Sequence, residues 1–118
     1  MSDYELDFKD KYCLVTGGAG FIGSNLSRYL AKLGAKVLVI DDFSTGRKEN
    51  TSDFEKLDIK LIESDVSNQE QTLSYFSGID YVFHQAAVPS VPRSIAEPLL
   101  TNNSNVNGTL AVLENCRL

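Results

Sequence analysis

The glycine-rich stretch at 16–23, Thr-Gly-Gly-Ala-Gly-Phe-Ile-Gly, constrains the fold of this chain more than any other feature. It follows a short apolar run at 12–16 and precedes a segment at 21–33 with helical periodicity. In that segment the apolar residues recur at Ile22, Leu26, Leu30 and Leu33. Gly34 can supply the left-handed residue that ends a helix. This order predicts a strand buried on both faces, a tight turn and a helix.

The rest of the chain repeats the alternation of strand and helix. Further strands are predicted at 36–40, at 59–62 and from 81 onward, with a short helix at 69–76. A long helix is predicted to end near 117, with an apolar stripe of Leu99, Val106, Leu110 and Leu113 and a polar side of Asn102, Asn105 and Thr109. Strands that alternate with helices form parallel sheets with right-handed crossovers. The predicted fold class is therefore α/β, a doubly wound, Rossmann-like parallel sheet truncated to about four strands with flanking helices.

The length of 118 residues fits one domain. We expect residues 1–10 to form an N-terminal tail and residues 11–118 to form the N-terminal part of a nucleotide-binding domain, because four strands make little more than half of such a fold. A sheet that stops there has an unpaired edge, which isolated proteins usually avoid. The chain is therefore expected to be a piece of a longer protein.

Composition excludes several function classes. With a net charge of −5, the chain lacks the basic surface that non-specific nucleic-acid binding requires. Its longest apolar runs are too short to span a bilayer, and its first residues do not resemble a signal peptide, so a cytoplasmic location is expected. Cys13 and Cys116 are predicted to be reduced and buried. One histidine and two distant cysteines offer neither a metal site nor a nucleophilic pair.

The spacing of Gly17, Gly20 and Gly23 is one residue wider than G-x-G-x-x-G. Glycines at such positions let the backbone approach a pyrophosphate, while the helix start offers unpaired N–H groups to it. Asp41 lies 18 residues beyond Gly23, close to the ~20 expected of the carboxylate that binds an adenosine ribose. That carboxylate favours NAD over NADP, although Arg47 and Lys48 could accommodate a 2′-phosphate. An ordinary glycine turn followed by an acidic loop is the alternative.

Four segments together resemble the extended short-chain dehydrogenase/reductase family: 15–24, 41–46, 65–66 and 84–87. Within that family, the segments 90–95 and 105–109 are most similar to those of nucleotide-sugar 4-epimerases. The resemblance covers residues 11–118, about the first third of a family member. It implies that the rest of the Rossmann domain and the substrate domain lie outside these residues.

The resemblance implies that NAD is the cofactor and that a defined set of residues contacts it. The set consists of Gly17, Gly20, Phe21, Ile22, Gly23, Asp41, Asp42, Phe43, Ser44, Thr45, Gly46, Asp65, Val66, Gln85, Ala86, Ala87 and Ser104. The glycine turn would hold the pyrophosphate, the loop from Asp41 the adenosine ribose, Asp65 and Val66 the adenine, and Gln85 to Ala87 the nicotinamide ribose. Asp65 could instead cap the following helix. Ser90 and Arg93 would face a nucleotide sugar, most closely a UDP-sugar, and a homodimer is implied.

The catalytic Tyr-x-x-x-Lys pair of the family does not occur in these 118 residues. The single histidine, His84, directly follows a buried strand and is expected to be packed and hydrogen-bonded rather than a catalytic base. We therefore predict no catalytic residue here. The parent protein would be a UDP-glucose or UDP-N-acetylglucosamine 4-epimerase that transiently oxidises sugar C4. The alternatives are a UDP-glucuronate decarboxylase, a dTDP-glucose 4,6-dehydratase or a non-catalytic dinucleotide-binding module.

Overall fold

The structure is a computed structural model that describes residues 8–44, 46–86 and 108–117. The strands are β1 (Tyr12–Thr16), β2 (Lys36–Asp41), β3 (Lys60–Glu63) and β4 (Tyr81–His84). The helices are α1 (Phe21–Lys32), α2 (Gln69–Thr72) and α3 (Gly108–Arg117). Short 3₁₀ helices occupy Lys48–Thr51 and Leu73–Phe76. The strands, α1 and the helical segment at 69–76 lie within one or two residues of the predicted ones. Helix α3 ends near 117 as predicted, and the first part of the predicted long helix, from Leu99, lies outside the described residues.

The four strands form one parallel sheet in the order β3-β2-β1-β4. Strand β1 is central and buried from Cys13 to Thr16, as its continuous apolar run predicts. Thr16 lies opposite Ile40 on one side and His84 on the other. The carboxyl ends of three neighbouring strands therefore meet at one edge of the sheet.

Apolar side chains cover both faces of the sheet. On one face Cys13 and Val15 pack in a cluster with Leu30 of α1. On the other face Leu14 packs in a cluster with Phe76 and with Val112 of α3. Helices on both faces confirm the doubly wound architecture. None of the helices within the described ranges is long and apolar enough to cross a membrane.

Three predictions about which helix residues are buried in the core are wrong. Ile22 is 68% exposed, and Leu110 and Leu113 are each 60% exposed. The buried face of α3 instead consists of Gly108, Ala111, Val112 and Asn115. This face has the same helical spacing as the predicted stripe but smaller side chains. Leu99, Val106, Asn102 and Asn105 lie outside the described residues.

The two cysteines differ in environment. Cys13 is fully buried, as predicted, and burial raises the pKa of its thiol to about 11. Cys116 is exposed, so the prediction that it is buried is wrong. It follows Asn115, which packs inward and donates from Nδ2 to Thr72 Oγ1 at 3.2 Å, and successive helical residues point about 100° apart. Neither cysteine forms a disulfide.

Candidate functional site

A cleft of about 370 Å³ opens at the carboxyl edge of the sheet. This volume lies within the range of about 300–1,000 Å³ that is usual for small-molecule sites. Parallel α/β sheets bind ligands at this edge. The described residues that line the cleft are Gly17, Gly20, Phe21, Ile22, Gly23, Ile40, Asp41, Asp42, Ser44, Ser64, Asp65, Val66, Gln85 and Ala86.

The glycine turn between β1 and α1 forms one wall of the cleft. Gly17 has a φ of +71°, which L-residues rarely adopt. A Cβ at Gly17 would also lie 2.7 Å from the backbone of Gln85 and Ala86. A Cβ at Gly23 would overlap the carbonyl oxygen of Gly17. Glycine at these two positions is therefore required by packing within the protein.

Gly20 differs from the other two glycines of the motif. Its backbone is extended, with φ −75° and ψ 171°, which any residue can adopt. A Cβ there would meet only the carbonyl oxygen of Gly17, at 3.4 Å, which is an ordinary contact. Since Gly20 also lines the cleft, its missing side chain leaves space for a ligand rather than for the protein.

The start of α1 offers free backbone donors to the cleft. Its N-cap residue makes no side-chain hydrogen bond, and its first turn contains no acidic residue. The N–H groups of Phe21 and Ile22 donate no hydrogen bond to any other part of the chain that the structure describes. Their side chains are 78% and 68% exposed. Uncapped amides of this kind form an anion site.

Asp41 ends β2 and is almost fully buried beside the glycine turn. Its Oδ2 accepts the N–H of Ala19 at 2.8 Å and its Oδ1 accepts the N–H of Phe43 at 2.6 Å. Burial raises the pKa of this carboxyl group, against the opposing effect of the two amide bonds. Each oxygen keeps a second lone pair. Asp41 can therefore hold the turn and still accept hydrogen bonds from a ligand in the cleft.

Asp65 and Val66 follow β3 at the same edge. The Oδ1 atom of Asp65 accepts from the N–H and the hydroxyl of Ser67, at 2.9 and 2.7 Å. The N-cap of α2 is Asn68, whose side chain accepts the N–H of Gln71, so Asp65 does not cap that helix. The other oxygen of Asp65 accepts no hydrogen bond within the described ranges, and Asp65 lines the cleft.

Sequence reasoning missed two residues of the cleft, Ile40 and Ser64. Ile40 is the residue before Asp41, and Ser64 directly follows β3. The hydroxyl of Ser64 is buried and has no partner among the described residues. The signal was available, since residues at the carboxyl ends of neighbouring parallel strands share one edge.

Two predicted residues lie next to the cleft without lining it. Phe43 adopts a left-handed φ of +60°, and Lys48 Nζ lies 5.6 Å from the centroid of its ring. Gly46 packs against Ala19, where a Cβ would approach the Ala19 Cβ to 2.7 Å. Arg47 is exposed and donates its N–H to the Ala19 carbonyl at 3.1 Å. Thr45, Ala87, Ser90, Arg93 and Ser104 lie outside the described residues.

The opposite wall of the cleft is the segment that leaves β4. Thr16 Oγ1 accepts the N–H groups of Gln85 and Ala86, at 3.0 and 3.2 Å, and lies 2.6 Å from His84 Nδ1. The other ring nitrogen, Nε2, lies 3.0 Å from Thr109 Oγ1 of α3. Burial lowers the pKa of His84. His84 is therefore packed and hydrogen-bonded, as predicted.

The charged side chains in the described lining of the cleft are all acidic. Asp41, Asp42 and Asp65 line the cleft, whereas its described lining includes no lysine or arginine. An anionic ligand would therefore depend on the backbone amides of α1. The described ranges also bring together no group of three side chains able to ligate a metal ion.

Comparisons with known proteins place the chain among enzymes of one family. The family described as NAD dependent epimerase/dehydratase matches residues 13–118. The UDP-glucose 4-epimerase of Mycolicibacterium smegmatis is 40% identical over 108 residues, which cover 89% of this chain and 34% of that protein. UDP-glucuronic acid decarboxylase 1 of Danio rerio is 34% identical over 126 residues, covering 96% of this chain and 29% of that protein.

A solved structure agrees with these relatives. The UDP-glucose 4-epimerase of Thermus thermophilus in complex with NAD superposes with a TM-score of 0.78 at 37% identity, covering 90% of this chain and 33% of that one. The chain spans about a third or less of the length of the curated relatives it matches.

Proposed function

The chain belongs to the NAD dependent epimerase/dehydratase family, and we propose that it is the NAD-binding part of a nucleotide-sugar 4-epimerase of the UDP-glucose or UDP-N-acetylglucosamine type. One observation carries the proposal: the cleft places the free amides of Phe21 and Ile22 beside a buried carboxylate, Asp41. The similarity to 4-epimerases, one of them solved with NAD, supports it.

The residues present fit a dinucleotide. The amides at the start of α1 bind the pyrophosphate, and Gly20 leaves room for it. Asp41 accepts the hydroxyls of the adenosine ribose. Asp65 accepts the exocyclic amine of adenine with its free carboxylate oxygen. Bound NAD supplies a hydride acceptor for the sugar, and the protein contributes binding, orientation and electrostatics.

The cofactor is NAD rather than NADP. The carboxylates of Asp41 and Asp42 line the cleft. With the adenosine ribose bound beside Asp41, as proposed, they repel a 2′-phosphate. Arg47 and Lys48 do not line the cleft as far as it is described, and Lys48 instead stands over the Phe43 ring. The two cations that could favour NADP are therefore not placed to do so.

Catalysis by the whole protein needs residues outside these 118. In this family a tyrosine assisted by lysine removes the sugar hydroxyl proton, and no tyrosine here has a lysine four residues later. We therefore propose that the isolated chain binds NAD weakly and does not turn over. Titration of the isolated chain with NAD, followed by amide chemical shifts, tests the binding role. Chemical-shift changes confined to the cleft residues support NAD binding. Their absence at the highest NAD concentration of the titration refutes it.

The same titration separates the epimerase from a non-catalytic dinucleotide sensor. A sensor must bind tightly by itself, so sub-micromolar affinity of the isolated chain would favour that alternative. The activity itself is tested on the parent protein, which should interconvert UDP-glucose and UDP-galactose without added NADH. A parent protein that lacks the Tyr-x-x-x-Lys pair would end the epimerase proposal.

A UDP-glucuronate decarboxylase is the second candidate, because the Danio rerio relative aligns with 96% of this chain. The residues described in the cleft face the cofactor and do not distinguish the two reactions. Incubation of the parent protein with UDP-glucuronate separates them, since a decarboxylase releases carbon dioxide and a UDP-pentose. An epimerase leaves the carbon count of the sugar unchanged.

A further inference from the structure

The side chains of Thr16, His84 and Thr109 form one continuous chain of hydrogen bonds across β1, β4 and α3. We propose that His84 is a positioning residue: as the neutral Nε2–H tautomer it holds the β4 exit segment, Gln85 and Ala86, in place for the nicotinamide half of the cofactor. The proposal rests on the proposed function, since it assumes that NAD occupies the cleft with its nicotinamide half against Gln85 and Ala86, as the family resemblance implies.

The tautomer follows from counting donors and acceptors. A threonine hydroxyl has one proton to donate and two lone pairs to accept with. Thr16 Oγ1 already accepts the N–H of Ala86 at 3.2 Å, and it shares the N–H of Gln85, at 3.0 Å, with the Thr16 carbonyl oxygen, which lies at the same distance. Its proton is therefore donated to His84 Nδ1, 2.6 Å away. Nδ1 must then be unprotonated, so the ring proton is on Nε2 and is donated to Thr109 Oγ1 at 3.0 Å.

Protonation of His84 would break this arrangement. A proton on Nδ1 would compete with the N–H groups of Gln85 and Ala86 for the two lone pairs of the Thr16 hydroxyl, so at least one of these bonds would be lost. The chain of bonds therefore requires a neutral ring, and burial lowers the pKa of His84 in agreement. The ionisable groups of the packed elements are Tyr12 and Cys13 on β1 and Glu114, Cys116 and Arg117 on α3, and the cause of the lowered pKa is desolvation by burial.

The held segment is the one that meets the glycine turn. Thr16 is completely buried, and it fixes the two peptide N–H groups that follow β4. Gly17 packs so closely on the Gln85–Ala86 peptide that a Cβ would approach it to 2.7 Å. Displacement of the segment would therefore change the distance between the two walls of the cleft. A fixed segment preorganises the site and reduces the ordering that a ligand must impose.

The tautomer can be observed directly because the chain contains a single histidine. Two-dimensional ¹H–¹⁵N correlation of the imidazole should show a protonated Nε2 and an unprotonated Nδ1 at neutral pH. A pH titration of the same signals should give a pKa below the ordinary value of 6.5. An Nδ1–H tautomer, or a ring that is charged at neutral pH, would overturn the proposal regardless of any variant.

Binding of two ligands isolates the positioning role. NAD carries the nicotinamide half, whereas ADP carries only the adenosine and pyrophosphate portions. In His84→Phe, which removes both ring hydrogen bonds, the affinity for NAD should fall about fivefold relative to the affinity for ADP. His84→Asn should rescue most of the loss, because its side-chain oxygen can accept the Thr16 hydroxyl. Thr16→Val should show the same loss as His84→Phe. Thr16→Ser, which keeps the hydroxyl, should bind like the unsubstituted chain.

The outcomes separate the two proposals. If neither NAD nor ADP binds the unsubstituted chain, the proposed function fails. If both ligands bind, and the NAD-to-ADP affinity ratio is the same in the unsubstituted chain and in His84→Phe, the positioning role fails while the proposed function stands. Equal losses for both ligands would show that His84 supports the fold alone, which also overturns the inference. Should His84→Phe not fold, the tautomer measurement on the unsubstituted chain decides the question, since a ring protonated on Nδ1 overturns the inference.

Discussion

Alanine substitutions at three glycines should separate protein packing from ligand space. Gly17→Ala forces an L-residue into φ +71° and drives its Cβ to 2.7 Å from the Gln85–Ala86 backbone. The left-handed conformation costs about 1–2 kcal/mol, and overpacking costs about 1–3 kcal/mol. The sum, about 2–5 kcal/mol, is a large part of the free energy of unfolding of a domain this size.

Gly20→Ala should have the opposite effect: it should leave stability almost unchanged and weaken NAD binding. Alanine is a poorer N-cap than glycine by about 1 kcal/mol, but it also lowers the entropy of the unfolded chain, a gain of about 0.4–1 kcal/mol. These two effects nearly cancel, and apart from the adjoining residues 19 and 21 the new methyl group has only Gly17 O within 4 Å among the described residues. The methyl group enters the cleft where the pyrophosphate is proposed to bind. The affinity for NAD should therefore fall at least about tenfold while stability is kept.

Gly78→Ala is the matched control. Gly78 has a φ of +77°, and a Cβ there would meet nothing within 4 Å. This variant should lose only the conformational cost of about 1–2 kcal/mol and keep the parent's affinity for NAD. Urea unfolding measures stability, and amide chemical-shift titration measures affinity.

The reasoning would be refuted by either of two results. If Gly20→Ala binds NAD as the parent chain does, the glycine turn does not border the pyrophosphate. If Gly17→Ala is as stable as Gly78→Ala, the close approach of the turn to the β4 exit does not contribute to stability.

Three further predictions concern Asp41, His84 and Cys116. Asp41→Ala should raise the affinity for NADP relative to NAD, measured as the ratio of dissociation constants; an unchanged ratio would show that Asp41 is not at the ribose. Burial lowers the pKa of His84, so below pH 6.5 the unfolded state binds the proton more readily, and stability should decrease as the pH falls from 6.5 through the folded pKa. Urea unfolding at several pH values should show this loss in the unsubstituted chain. The prediction would be contradicted if the free energy of unfolding changed with pH in parallel in this chain and in His84→Asn. A thiol reagent should modify exposed Cys116 in the native chain and buried Cys13 only after unfolding, so rapid modification of both would contradict the described packing.

The sequence by itself determined the strand and helix order and the position of the glycine turn. The reason is that these features depend on local periodicity and on glycine's backbone freedom. The run at 12–16 is the central strand. Helix α1 ends at Lys32, and Gly34 adopts the left-handed conformation just after it, with a φ of +89°. Asp41 could be assigned to the cleft edge because it ends a parallel strand.

The tertiary structure alone decided which of several apolar faces is buried. Leu110 and Leu113 have the right spacing for a core stripe, yet α3 packs through Ala111 and Val112, because close packing against the sheet selects shape as well as hydrophobicity. Ile22 is exposed for a related reason, since it stands at the mouth of the cleft rather than over the sheet.

The roles of single polar atoms were likewise out of reach of sequence patterns. Thr16 and His84 are 68 residues apart, and only the parallel register of β1 and β4 brings Oγ1 within 2.6 Å of Nδ1. The proposed tautomer of the ring rests on the hydrogen bonds that the Thr16 hydroxyl already makes. Periodicity gives the elements, but hydrogen-bond partners are fixed by contacts between residues distant in sequence.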